Sequence, residues 1–91
     1  MNLVEFIQQK GYKIQELAIA LSVDPSFLSR ALKGQRNLNA LQIQKLATFL
    51  QLPIEAVLAY FLSFQVQKIL EPYPSLVNEV FKLTEERIAY R

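Results

Sequence analysis

The stretch Ser22-Val23-Asp24-Pro25 constrains this chain more than any other. Apolar residues recur at helical spacing on both sides of it, as Leu17, Ala18 and Leu21 before and Leu28, Ala31 and Leu32 after. The intervening residues are too few for anything but a tight turn. Asp24 offers a carboxylate to cap a new helix, and Pro25 fits the first helical position, where its missing N–H leaves no bond unmade. Two short helices must therefore meet across Val23, which plugs the turn, with Ala18 small enough to let them approach. The second of them stops at Gly34, a residue suited to the left-handed turn after a helix. Its apolar side faces inward, so Ser26, Ser29, Arg30 and Lys33 fall on the other side.

The rest of the chain reads the same way, with no alternating stretch and no hairpin turn, so the fold class is all-α. A first helix is expected from Leu3 to Lys10, with Leu3, Phe6 and Ile7 inward and Gly11 ending it, and a second from Ile14 to Leu21. The third runs from Pro25 to Lys33. After the polar loop Gln35-Arg36-Asn37-Leu38, Asn39 and Gln42 have the spacing of a capping box, opening a fourth helix over Ala40 to Gln51 with Ile43, Leu46, Ala47 and Leu50 inward. Pro53 opens a fifth, which continues to Leu70 until Glu71-Pro72-Tyr73-Pro74 breaks it. On this helix Ile54, Val57, Leu58, Phe61 and Leu62 make one stripe, while Tyr60, Phe64 and Val66 fall off it. A helix apolar around so much of its girth is buried on more than one side. A sixth helix, Ser75 to Tyr90, carries Leu76, Val77, Val80, Phe81, Thr84 and Ile88 on one face, with Glu85, Glu86 and Arg87 on another. Two parts are expected: a body over residues 1–70, and a proline hinge with a C-terminal helix over residues 71–91 that serves oligomerisation or a partner.

A chain of 91 residues supports one core. Burial is modest at this size, and an apolar face left over after folding seeks a partner, which makes a homodimer through helix 5 and the C-terminal segment the expected assembly. Cysteine and histidine are absent, which removes disulfides, thiolate chemistry and the usual proton shuttle, and no cofactor or metal site is expected. The adjacent Glu85 and Glu86 do not converge on one point, and no phosphate loop or nucleophile elbow is present, so the chain is not read as an enzyme. The beginning of the sequence lacks a basic segment followed by a long apolar one, and the most apolar run, Ala56 to Phe64, is short of the roughly 20 residues that span a membrane. A cytoplasmic protein with no membrane role is expected.

Charge is uneven. No acidic residue lies between Asp24 and Glu55, a window that holds Arg30, Lys33, Arg36 and Lys45, whereas each flank is slightly acidic. Such a stripe is either a solvated face or the face that meets an anion.

The run Glu16-Leu17-Ala18, Val23, Asp24, Ser26, Phe27, Leu28, Ser29, Arg30 and Gly34 resembles the Xre family, the lambda-repressor-like helix-turn-helix regulators of bacteria and phages. Leu46-Ala47 and Leu52-Pro53-Ile54-Glu55-Ala56-Val57-Leu58 are similar to that family's fourth and fifth helices, so the resemblance covers about residues 1–60. It implies a five-helix domain, here with one helix added, that binds double-stranded DNA as a dimer with the third helix in the major groove. By the same resemblance Pro25, Ser26, Ser29 and Arg30 face bases, with Arg30 able to pair with guanine O6 and N7 through its forked guanidinium. Pro25 stands where relatives place a base-reading side chain and offers only apolar contact, for example to a thymine methyl. Lys33, Gln35, Arg36, Asn37 and Asn39 would lie along phosphates. Relatives open the second helix with a polar cap and a glutamine; here Lys13 and Ile14 stand there, leaving Lys13 or Gln15 to meet the phosphate. The family's turn glycine is Ser22. Phe27 is read as a core-edge aromatic. The alternative is an antitoxin-like or regulatory module that docks a protein through its C-terminal helix.

Overall fold

The computed structural model describes residues 1–89; Tyr90, expected at the end of the sixth helix, and Arg91 lie outside the described residues. The described residues form helices and no strand: α1 (Leu3–Gln9), α2 (Ile14–Leu21), α3 (Pro25–Leu32), α4 (Ala40–Leu50), α5 (Ile54–Leu70) and α6 (Val77–Ala89), with a 3₁₀ turn at Pro74–Leu76. The all-α reading holds, and the first five helices fall within a residue of their expected ends.

Side-chain caps start α1, α3 and α4, and those of α3 and α4 were legible in the sequence. Asn2 Oδ1 accepts from the Glu5 amide at 3.2 Å and Asp24 Oδ1 from the Ser26 amide at 2.7 Å. Asn39 and Gln42 form the reciprocal capping box, at 2.8 and 2.9 Å. Each such cap satisfies a donor that the helix leaves free, typically worth about 1 kcal/mol. Gly11 and Gly34 end α1 and α3 with φ of 76° and 80°. Ser22 and Gln51 take the same left-handed turn after α2 and α4, at 56° and 57°, without being glycine.

The core forms where α2 meets both α3 and α4, and where α4 meets α5. Leu3, Leu17, Leu28, Leu46 and Val57 are sealed at its centre. Among the described residues no polar or charged side chain is buried, so the fold rests on apolar burial, about 1.5–3 kcal/mol for each large side chain removed from water.

Two expectations are corrected. On α5 only Val57 and Phe61 of the expected stripe are buried; Ile54, Leu58 and Leu62 are 40–46 % exposed. The inward face is turned toward Tyr60 and Phe64, because those rings, not the aliphatic residues, cover the end of α3. On α6 nothing is buried, and of the expected stripe only Val77 and Val80 are half-buried. The helix turns back alongside α5, where Val77 and Phe81 share a groove with Leu62, Val66 and Leu70, and Leu70 is buried outside the main core. The molecule is accordingly extended, with a radius of gyration of 15.1 Å against about 12 Å for a compact chain of this length.

Candidate nucleic-acid interface

Position along α3 sorts its side chains. Leu28, Ala31 and Leu32 are buried at 0–3 % exposure, which fixes the opposite side of the helix outward. Ser26, Arg30 and Lys33, spaced at helical intervals on that side, are all exposed, as is Pro25 at the first turn. Ser29 departs from the expected outward row: it is half-buried, at the edge between the two faces. Phe27 is half-buried and packed against the core, as its core-edge reading required. The exposed ridge is about two turns of polar and cationic side chains on a helix held from behind, and a helix of that width fits a major groove about 12 Å wide.

The other residues expected to meet phosphates, Lys13, Gln15, Gln35, Arg36, Asn37 and Asn39, are all exposed. Lys13 precedes α2 and its side chain caps nothing, so no side chain satisfies the first amides of that helix, a favourable place for a phosphate oxygen. Gln15 is exposed in the same first turn. Beyond α3, Gln35, Arg36 and Asn37 are exposed, and the loop is pinned by Leu38, which is buried. The Arg36 guanidinium donates to the Gln35 carbonyl at 2.9 Å, holding its charge against the loop. Asn39 is exposed, but its side-chain oxygen is committed to capping α4.

The end of α3 is gripped from α5. The Tyr60 hydroxyl donates to the Leu32 carbonyl at 2.6 Å, and the Phe64 ring rests on Gly34, where a Cβ would come within 2.6 Å of Phe64 Cγ. The rings meet edge to face, with centroids 5.1 Å apart. Burial pushes the Tyr60 hydroxyl above the ordinary tyrosine range. This clamp was not anticipated from the sequence, although Tyr60 and Phe64 are one helical turn apart and that spacing was the available signal.

The helix-turn-helix family model matches residues 3–57, more than half of the chain and all of α1 to α4. The chain belongs to the Xre-like, lambda-repressor-like helix-turn-helix family. No curated protein and no solved structure matches it. Within this helix-turn-helix protein, α2 and α3 are the two helices of the motif and Ser22 to Asp24 the turn. The family match ends at Val57, so Tyr60 and Phe64, which grip the motif's second helix, are supplied by the part of α5 beyond it. Among the described residues no helix is long and apolar enough to cross a membrane.

Proposed function

We propose that this helix-turn-helix protein is a cytoplasmic, sequence-specific regulator of transcription that binds double-stranded DNA as a dimer. The observation that carries the reading is the anchoring of α3: Leu28, Ala31 and Leu32 dock it while Ser26, Arg30 and Lys33 stand clear. Arg30, with Pro25, Ser26 and Ser29, reads base edges; Lys13, Gln15, Lys33, Gln35, Arg36, Asn37 and Asn39 meet phosphates and set the register.

Dimerisation is supported by where apolar surface is left over. Of fourteen large hydrophobic residues that are exposed among the described residues, ten lie between Ile54 and Ile88. They fall on α5, the hinge and α6, which supports a partner surface built from these segments. Two copies joined there would place their α3 helices in successive major grooves, about 34 Å apart.

Fluorescence anisotropy at fixed salt tests the reading, using a duplex selected from a random pool against unselected duplex. Tighter binding of the selected duplex is expected; equal affinity for both overturns sequence-specific reading. The second reading, docking of another protein on α6, is favoured by one observation, that α6 buries none of its side chains. Deletion of residues 72–91 separates the two. A regulator keeps its DNA affinity or loses it only through dimerisation, whereas a pure docking module has none to lose.

A further inference from the structure

We propose that Lys68, near the end of α5, is a further contact to the DNA backbone, made through a groove it shares with Lys33 and Gln35. The proposal rests on the DNA-binding reading and extends the interface beyond the helix-turn-helix motif.

The argument starts from one row of α5. Tyr60, Phe64 and Lys68 follow at intervals of four residues, so they lie on one side of the helix about 6 Å apart along its axis. The first two have their places fixed at the end of α3: Tyr60 on the Leu32 carbonyl and Phe64 on Gly34. The row therefore continues past the end of α3, and the next side chain in it is Lys68. A groove of about 440 Å³ opens there, with Lys33, Gly34 and Gln35 on one wall and Phe64, Gln67 and Lys68 on the other. Both lysines are exposed.

Lys33 stands on the outward ridge of α3, so an anion that reaches it from the DNA strand also comes to the mouth of this groove. Two ammonium groups and the Gln35 amide suit a phosphodiester oxygen, a ligand without base identity. The one carboxylate lining the groove belongs to Glu71, which accepts from Gln67 Nε2 at 3.0 Å. It opposes an anion there and sets a second, opposite test. Lys68 lies outside the cationic window of the sequence; only the four-residue row brings it to Lys33.

The experiment measures duplex affinity across a range of salt for the full chain, for Lys68→Ala, for Glu71→Gln, and for Lys82→Ala on α6. Loss of one phosphate contact should lower the slope of log affinity against log salt by about 0.9 per protomer and weaken binding about five- to tenfold near 0.1 M salt. Lys68→Ala is expected to do this equally for selected and unselected duplex. Glu71→Gln should strengthen both, and Lys82→Ala should change neither. An unchanged slope for Lys68→Ala, with circular dichroism and melting temperature as in the parent, overturns the assignment while leaving the DNA reader intact. Displacement of duplex by inorganic phosphate beyond the effect of chloride at matched ionic strength would make the groove a free-anion site and overturn it also. Absence of duplex binding by the parent protein overturns both readings together.

Discussion

The Tyr60 hydroxyl donates a 2.6 Å hydrogen bond to the main-chain carbonyl of Leu32, tying α5 to the last residue of α3. Carbonyls at a helix end have no partner within the helix, so this bond replaces one that water would otherwise supply. Tyr60→Phe keeps the ring and its edge-to-face contacts with Phe61 and Phe64 while removing the donor. A loss of about 1 kcal/mol in unfolding free energy is expected by denaturant titration. The pH dependence has a definite sign. Burial holds the folded-state hydroxyl above the ordinary tyrosine value of about 10. The unfolded chain releases that proton first as the pH rises, so the contribution of Tyr60 is complete below pH 10 and is lost above it. The gap between parent and Tyr60→Phe should therefore narrow in alkaline solution; a gap that stays constant from neutral pH to beyond the tyrosine range would contradict this account.

Gly34 is constrained twice. Its φ of 80° disfavours any side chain, and the Phe64 ring fills the space where a Cβ would stand. Gly34→Ala should lower stability by roughly 2 kcal/mol or more. In a Phe64→Ala background the steric part disappears and only the backbone part remains, so the penalty of Gly34→Ala should shrink. Equal penalties in the two backgrounds, read by thermal melts, would show that the ring and the glycine are independent.

Which parts of this molecule were legible in its sequence follows from how local their causes are. The caps at Asp24 and Asn39, the turn at Gly34 and the burial of Leu28, Ala31 and Leu32 depend on neighbours a few residues away, and spacing alone revealed them. The rotation of α5 did not follow from spacing. Its apolar residues surround most of the helix, so periodicity offered several inward faces, and the choice was made by Tyr60 reaching a carbonyl 28 residues earlier in the chain. Lys68 went unnoticed for the same reason. The C-terminal helix was recognisable as a helix from its stripe, but a stripe states that a face is apolar and not that the same chain covers it. Ser29 shows the limit at finer scale, because a residue at the border of two faces is outward or half-buried according to a modest rotation of α3.

Ser22 and Gln51 close α2 and α4 in the left-handed region, a conformation that disfavours residues with a Cβ. Both are exposed and reachable without disturbing the core. Ser22→Gly and Gln51→Gly should each relieve that strain, partly offset by the greater freedom of glycine in the unfolded chain. A net gain of about 0.5–1 kcal/mol is expected at each site, additive in the double variant because the two turns share no partner. Chemical denaturation decides it, and a loss of stability at both positions would mean that their side chains contribute more than the turns cost.

Arg30 and Lys33 sit within one turn on the outward ridge of α3, yet their chemistry predicts different losses. A forked guanidinium discriminates one base pair from another by about 1–3 kcal/mol, whereas an ammonium on a phosphate is indifferent to sequence. Arg30→Ala should relax preference at one base pair in a selection from random duplex. Lys33→Ala should weaken all duplexes alike and lower the salt slope by about one. If both variants have the same effect on selected and unselected DNA, the proposed division of labour is wrong.

Phe61 and Leu62 are neighbours on α5 with opposite exposures, 9 % and 46 %, and this separates folding from assembly. Phe61→Ala removes a ring from the core and should destabilise the fold by about 3–5 kcal/mol. Leu62→Glu places a charge on the outer face, on a side chain that the folded chain leaves half in water, so its effect on the monomer's stability should stay within about 1 kcal/mol. In a dimer joined through α5 and α6 the same charge is stripped of water without a partner, which is far more costly than exposure. Leu62→Glu should therefore sediment as a folded monomer under conditions where the parent sediments as a dimer, with affinity for a two-half-site duplex reduced and affinity for a single half-site retained. A Leu62→Glu protein that assembles as the parent does, or a parent that is monomeric at every concentration reached, would remove α5 from the dimer contact and leave its exposed leucines without that explanation.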